Sequence, residues 1–203
     1  MNQKGKPEVA ILEFFIPCDS EYIVESKSFK LYLNSFSNSK FTSWQEVENY
    51  LLTDLSKVCG KDIKLRKMNL DESQEYSFTN LLGKNIDSLD VDCDLYTVNS
   101  DFLSIEQQQI VTETLHSNLL KSNCLVTNQP DWASLQVSYV GNKISEKGLL
   151  KYIVSFRNHN EFHEQCIERI FIDIMQKCAP AELTILGFYT RRGGLDINPM
   201  RST

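Results

Sequence analysis

Ser26-Lys-Ser-Phe-Lys-Leu-Tyr-Leu-Asn-Ser-Phe36 and Ser145-Glu-Lys-Gly-Leu-Leu-Lys-Tyr-Ile-Val-Ser-Phe156 read as two versions of one segment. Lys27, Tyr32, Ser35 and Phe36 recur 120 residues later as Lys147, Tyr152, Ser155 and Phe156. Asp54 and Cys59 recur 119 residues later as Asp173 and Cys178, so a small gap separates the copies. Around both segments the expected order is strand, short helix, loop, long helix, strand. A few matched residues can coincide by chance. A matched order of elements is harder to reach that way, and duplication of one α+β unit is the simplest account.

The elements follow from periodicity and punctuation. Glu8–Pro17 is rich in β-branched and aromatic residues and reads as a strand. Ser26–Phe36 fits either a short helix or an extended segment, which periodicity alone does not separate. Ser43 and Glu46 have capping-box spacing, Val47, Leu51, Leu55 and Val58 make an apolar stripe, and Gly60 is placed to end that helix. Strands are expected near Asp62–Met68 and Leu95–Val98, with a polar stretch between them. Val111–Leu120 reads as a strand with Val111, Leu115 and Leu119 on one face. Trp132–Val140 alternates more cleanly, and Gly141-Asn142 closes it. Ser145 caps a helix to Phe156. Phe162–Cys178 is a longer helix burying Ile167, Ile170, Phe171, Ile174 and Met175, ended by Ala179-Pro180. Leu183–Tyr189 is a strand, and Thr190–Pro199 is a basic, glycine-rich tail.

Composition narrows the function classes. A chain of 203 residues, 41% apolar and 24% charged, can bury a core like an ordinary soluble protein. Its formal charge of −6 comes with dispersed cations, which argues against direct nucleic-acid binding but leaves room for a small anionic ligand. The first residues are interrupted by Glu13 and do not read as a secretory signal, and no apolar run reaches membrane-spanning length. Six scattered cysteines without a Cys-x-x-Cys pair fit free thiols in a reducing cytoplasm and give no zinc or redox motif. No metal site is expected. No Gly-x-Gly-x-x-Gly stands in a βαβ context, so a nicotinamide cofactor would not sit on a Rossmann fold.

Chemistry concentrates in the second copy. Cys124 ends one alternating segment, Asn128-Gln129-Pro130 reads as a turn, and Asp131 begins the next segment. A thiol facing a carboxylate across a turn is a plausible nucleophile with its own proton donor; the bland alternative is a small packing residue. In Asn158-His159-Asn160-Glu161-Phe162-His163-Glu164-Gln165, Glu164 could simply complement a helix N-terminus. It could instead accept paired hydrogen bonds from the N–H edge of a guanine-like ring, with His163 as a ring contact or proton carrier. Arg191-Arg192-Gly193-Gly194 could cradle phosphate, although a flexible basic tail is the preferred reading of that segment alone.

With Glu25–Phe36, Leu120–Trp132, Ser155–Cys166 and Tyr189–Pro199 in order, the chain resembles the NADPH-dependent 7-cyano-7-deazaguanine reductases, the nitrile reductases of queuosine biosynthesis. The resemblance runs through most of the chain. It implies an α+β fold of two tandem tunnelling-fold (T-fold) units, antiparallel sheets with paired helices on one face, divided as residues 1–100 and 101–203. In the long form of that family further residues precede the point where this chain begins, so the first unit is expected to lack its N-terminal strand.

The resemblance also implies the chemistry. Cys124 would add to the nitrile carbon and form a covalent thioimide, Asp131 would supply a proton, and NADPH would deliver hydride twice to give the amine. Val24, Glu25, Ser26, His163 and Glu164 stand at substrate-contact positions; Ser26, Lys27, Arg192 and Gly193 stand at NADPH-contact positions. The expected partners are a small deazapurine and a second copy of the chain, in a homodimer or higher homo-oligomer, without nucleic acid or membrane. A non-catalytic purine- or pterin-binding module is the alternative. A cyclohydrolase of the same superfamily would need a Cys/His metal set that the sequence does not assemble.

Overall fold

The computed structural model describes residues 1–68 and 81–203. The chain divides into two compact units, Met1–Thr79 and Asn80–Thr203.

In the first unit β1 (Ile11–Phe15) leads to α1 (Ser26–Ser37) and α2 (Trp44–Cys59), and β2 (Lys64–Met68) returns antiparallel to β1. The segment that periodicity left open is helical because Glu25 caps it. Its two carboxylate oxygens accept the N–H groups of Lys27 and Ser28 at 3.0 and 2.8 Å. α2 begins as expected, with Ser43 Oγ accepting from the N–H of Glu46. Glu46 reaches one residue further back than a capping box requires, accepting from the N–H and hydroxyl of Thr42. Gly60 ends α2 at φ 71°, the left-handed region. Leu51, Leu55 and Cys59 are its buried residues, whereas Val58 is half exposed. Leu55, Cys59 and Ile63 form a small core with Phe14, Val24, Phe29 and Leu52 against it.

The second unit is a five-stranded sheet in the order β3-β4-β5-β6-β7. Its strands are β3 (Lys84–Asn85), β4 (Ile105–Asn123), β5 (Pro130–Ile144), β6 (Glu182–Tyr189) and β7 (Met200–Ser202). Neighbours are antiparallel except β3 and β4, which run parallel, so the sheet is mixed at that edge rather than wholly antiparallel. Residues 95–98 form no strand and lead into a short 3₁₀ turn at Ser100–Phe102. Part of the polar stretch expected before them lies outside the described residues.

Helices α3 (Glu146–Ser155) and α4 (His163–Cys178) bury Leu149, Leu150, Ile153, Ile167, Ile170 and Ile174 in one core with the sheet. On β5 every second residue points into it: Asp131, Ala133, Leu135, Val137, Tyr139 and Gly141 are all buried. β5 does not stop at Gly141-Asn142 but runs on to Ile144. Gly141 is needed where it stands, since a Cβ there would lie 2.8 Å from the Cα of Pro180. On β4 the register shifts between Ser117 and Leu120. That bulge turns Leu119 outward, 39% exposed, and puts Leu120 in the core. Phe171 and Met175 pack at the core's edge instead of inside it.

The duplicated order is seen in the coordinates as β1-α1-α2-β2 and β5-α3-α4-β6, each closed by an antiparallel strand pair. Its details repeat too. Tyr32 donates to Asp54 at 2.6 Å and Tyr152 to Asp173 at 2.6 Å. Ser35 and Ser155 each donate to the carbonyl of the tyrosine three residues earlier, at 2.6 Å. Tyr32–Phe36 and Tyr152–Phe156 are edge-to-face pairs with ring centroids 5.2 Å apart. Cys59 and Cys178 both close their long helix beside a left-handed residue, Gly60 or Ala179.

Candidate active site

The last bonded pair of the β4–β5 hairpin is Asn123 with Pro130, and Cys124 opens the turn between them. The turn is held at both ends: Cys124 N–H donates to Gln129 O at 2.8 Å, and Asn128 N–H donates to Cys124 O at 2.9 Å. Asn128 sits at φ 55°, a left-handed conformation that asparagine tolerates better than most residues. The Asn160 side chain reaches across to this turn, donating to Asn128 Oδ1 at 2.8 Å and to Cys124 O at 3.4 Å. Backbone bonds zip the same loop to β4, from Asn123 N–H to His159 O and from Glu161 N–H to Asn123 O. The loop that leads into α4 is therefore registered against the cysteine turn.

Asp131 is the second residue of β5 and faces inward, in phase with the core residues of its strand, and is 3% exposed. A carboxylate so buried needs partners. Arg192 Nη1 donates to its Oδ1 at 2.7 Å, and His163 Nε2 lies 3.3 Å from its Oδ2. His163 is the first residue of α4 and stacks flat on Tyr189, with centroids 3.8 Å apart and planes 5° from parallel. Glu164 follows in the first turn of α4, where its charge complements the helix N-terminus. Gln165 rather than Glu164 folds back to accept the N–H of Phe162.

Beneath these groups, Ser122 and Tyr189 flank the buried thiol of Cys166. Ser122 Oγ, His163 Nδ1 and Tyr189 Oη are buried without a hydrogen-bond partner among the described residues. Burial lifts the Tyr189 phenol well above its ordinary value. It also pushes Cys166 up to about 12, Cys178 up to about 11, and Cys59 upward, so these three thiols stay protonated and inert. Cys124 is partly exposed, and none of the six thiols is bridged.

The glycine-rich segment is not a loose tail. Arg192 and Leu195 exchange backbone hydrogen bonds around Gly193 and Gly194, whose φ angles of 57° and 82° suit a tight turn. Arg191 is paired with Asp196, and Arg192 reaches Gln129 Oε1 at 2.9 Å in addition to Asp131. β7 then pairs with β6, and Arg201 is ion-paired with Glu168 of α4.

Val24, Glu25, Ser26 and Lys27 lie together in the first unit at the start of α1. Glu25 is the N-cap; the Lys27 N–H holds its carboxyl below the ordinary range against a smaller effect of burial, with Ser28 and the Lys27 charge adding to it. It accepts three hydrogen bonds, from two N–H groups and the Ser28 hydroxyl, of roughly four that a carboxylate can take. Val24 packs on the small core. In the first unit Lys27, 41% exposed, and the Ser26 hydroxyl are donors of the kind that hold phosphate, and so, in the second, are Arg192, 33% exposed, and the Gly193 turn.

A second cluster, His159, Glu161 and Cys166, offers three potential ligand atoms within 4.8 Å of one another. Glu161 is already engaged there by Arg169 at 2.7 and 3.0 Å and by His159 at 2.7 Å. A guanidinium on that carboxylate opposes a second cation, and the cluster reads as an ion-pair network that ties the loop to α4.

Residues 1–67 match the family model described as the N-terminal part of nitrile reductase, 7-cyano-7-deazaguanine-reductase, and residues 130–203 match the model of QueF-like proteins. The chain is 51% identical over its whole length to a protein of Cupriavidus pinatubonensis named NADPH-dependent 7-cyano-7-deazaguanine reductase, covering 73% of it. Proteins of the same name from Hydrogenovibrio crunogenus and Legionella pneumophila are 53% and 52% identical, with 73% and 71% of their lengths covered. The chain belongs to the NADPH-dependent 7-cyano-7-deazaguanine reductase family. As a member it is an NADPH-dependent oxidoreductase. A solved archaeosine synthase, QueF-Like, in the apo form, aligns with 46% of this chain and 92% of its own at 14% identity and a TM-score of 0.41, too slight a likeness to bear on the fold.

Four features of the candidate site were not legible in the sequence. They are the Arg192–Asp131 pair, the Gln129 contact, the stacking of His163 on Tyr189 and the Asn160 bridge to the cysteine turn. Only Asn128-Gln129-Pro130 gave a local signal, as a turn. The other partners lie dozens of residues apart, and sheet register brings them together. Among the described residues, no helix is long and apolar enough to cross a membrane.

Proposed function

We propose that this chain reduces the nitrile of 7-cyano-7-deazaguanine to the primary amine of 7-aminomethyl-7-deazaguanine, in the queuosine pathway, through a thioimide on Cys124. The observation that carries this reading is the hairpin tip. A partly exposed thiol opens the turn, and a buried carboxylate sits two positions into the returning strand, held by Arg192 and facing His163. A nitrile is a poor acceptor for hydride. When Cys124 sulfur bonds to its carbon, one C–N π bond opens, the thiol proton leaves, and nitrogen gains a proton, giving a C=N–H group. Asp131 is the residue that relays that proton.

Glu164 and Glu25 are read as acceptors for the N–H edge of the deazapurine, with Val24, Ser26 and His163 completing the contacts. Ser26, Lys27, Arg192 and Gly193 would hold NADPH, which supplies a hydride for each of the two reductions. In this reading the chain comprises two T-fold units, 1–100 and 101–203, and acts in the cytoplasm as a homo-oligomer. The doubled helix-pair contacts support tandem units, and six unbridged thiols support a reducing compartment. The neighbouring cleft of about 430 Å³, lined by Asp87, Tyr96, Leu119 and Arg157 among others, contains none of the candidate residues. Completion of the substrate pocket by a further surface is part of the proposal.

The test is NADPH oxidation in the presence of the cyano-deazaguanine, with two NADPH consumed per substrate and the amine as product. Substrate binding without oxidation would replace this reading with a non-catalytic purine-binding module.

A further inference from the structure

We infer that Arg192 is a positioning residue for the covalent step, acting through Asp131 before any cofactor arrives. The inference rests on the reading of Cys124 and Asp131 given above. Arg192 donates from Nη1 to Asp131 Oδ1 at 2.7 Å and from Nη2 to Gln129 Oε1 at 2.9 Å. Gln129 is also the residue whose carbonyl accepts the N–H of Cys124. One planar guanidinium thus spans the returning arm of the hairpin and fixes the carboxylate relative to the cysteine turn. Asp131 is 3% exposed, so water cannot replace that anchor. His163 Nε2 also lies 3.3 Å from the carboxylate, and its ring stacks on Tyr189.

The arginine is itself anchored, because its backbone closes the Gly193-Gly194 turn with Leu195. Arg191 is occupied by Asp196 and takes no part. A guanidinium that only met cofactor phosphate would have no need of this inward geometry. Bidentate planar recognition is also what a lysine cannot supply.

The experiment follows thioimide formation by absorbance and intact mass, with the cyano-deazaguanine and no NADPH. Arg192→Ala should slow the adduct by about 10²-fold, the scale expected when a reacting group is misplaced by about an ångström. Arg192→Lys should fall between the two, and millimolar guanidinium should restore part of the rate to Arg192→Ala but not to Cys124→Ala. Circular dichroism checks that each variant is folded, and the guanidinium rescue reports only on folded protein. Adduct formation at the wild-type rate in folded Arg192→Ala would overturn the inference and leave Arg192 a cofactor contact. Slow formation without any rescue by guanidinium or lysine would also overturn it, assigning the loss to the turn's structure. Absence of the adduct from wild type would instead remove the underlying reading of Cys124.

Discussion

The phenol of Tyr152 donates a 2.6 Å hydrogen bond to the carboxylate of Asp173, fastening α3 to α4 inside the second unit. Tyr152 is fully buried, and burial, with Asp173 adding to it, raises its phenol far above the ordinary value. Its counterpart Tyr32–Asp54 makes the same bond in a more exposed setting. A hydrogen bond to a charged group is worth about 1.5–3 kcal/mol when water cannot replace it.

Tyr152→Phe should therefore destabilise the protein by about 1.5–3 kcal/mol, and Tyr32→Phe by clearly less. Denaturant unfolding of both variants checks the order. Equal losses would mean that burial does not set the strength of the duplicated bond.

Gly148 lies in the first turn of α3, where helix propensity alone would have alanine gain about 1 kcal/mol. A Cβ at this position would stand 2.3 Å from the carbonyl oxygen of Phe102. The backbone must move to admit it. Gly148→Ala is expected to lose about 1–3 kcal/mol instead, read as a fall in unfolding midpoint. A rise in that midpoint would show that the 3₁₀ turn at Ser100–Phe102 yields freely.

Burial by itself would raise the Glu161 carboxyl, but Arg169 and then His159 outweigh it and hold the group below its ordinary value. A carboxyl depressed in the folded state adds stability above its unfolded value, about 4.3, and loses it as pH falls through the folded value. Glu161→Gln should cost about 1–2 kcal/mol near neutral pH, an amount reduced by the solvent that reaches Arg169. The gap to wild type should narrow as pH falls below the unfolded value and wild-type Glu161 protonates. Chemical unfolding across that range measures it; a gap independent of pH would remove the ion-pair account of this network.

Much of the fold was legible because the residues that shape it act locally. Ser43, Gly60 and Ser145 cap or end helices where their chemistry places them, and the inward alternation of β5 follows from Ala133, Leu135, Val137 and Tyr139. The errors came from long-range choices. Alternation puts Leu119 on one face with Val111 and Leu115, but the bulge after Ser117 reverses it. Residues 95–98 alternate like a strand without forming one. α1 became decidable only once Glu25 was seen to cap it.

In the site, Cys124, Asp131 and His163 were legible as chemistry, but not the partners that hold them. Arg192 is 61 positions from Asp131 in sequence and reaches it only because β6 lies beside β5. A basic stretch beside two glycines looks like a tail until its guanidinium groups are seen to be engaged. Tyr189 likewise reads as an ordinary strand end, and its role as the floor under His163 depends on the register of Tyr189 with Ala133.

The proposed reduction depends on a covalent bond between Cys124 sulfur and the nitrile carbon. The direct measurement is the intact mass of the protein after mixing with 7-cyano-7-deazaguanine in the absence of NADPH. The mass should rise by that of one substrate molecule per chain, with the label on the peptide containing Cys124 and no rise in Cys124→Ala. An unchanged mass at substrate concentrations that demonstrably saturate binding would rule out the thioimide.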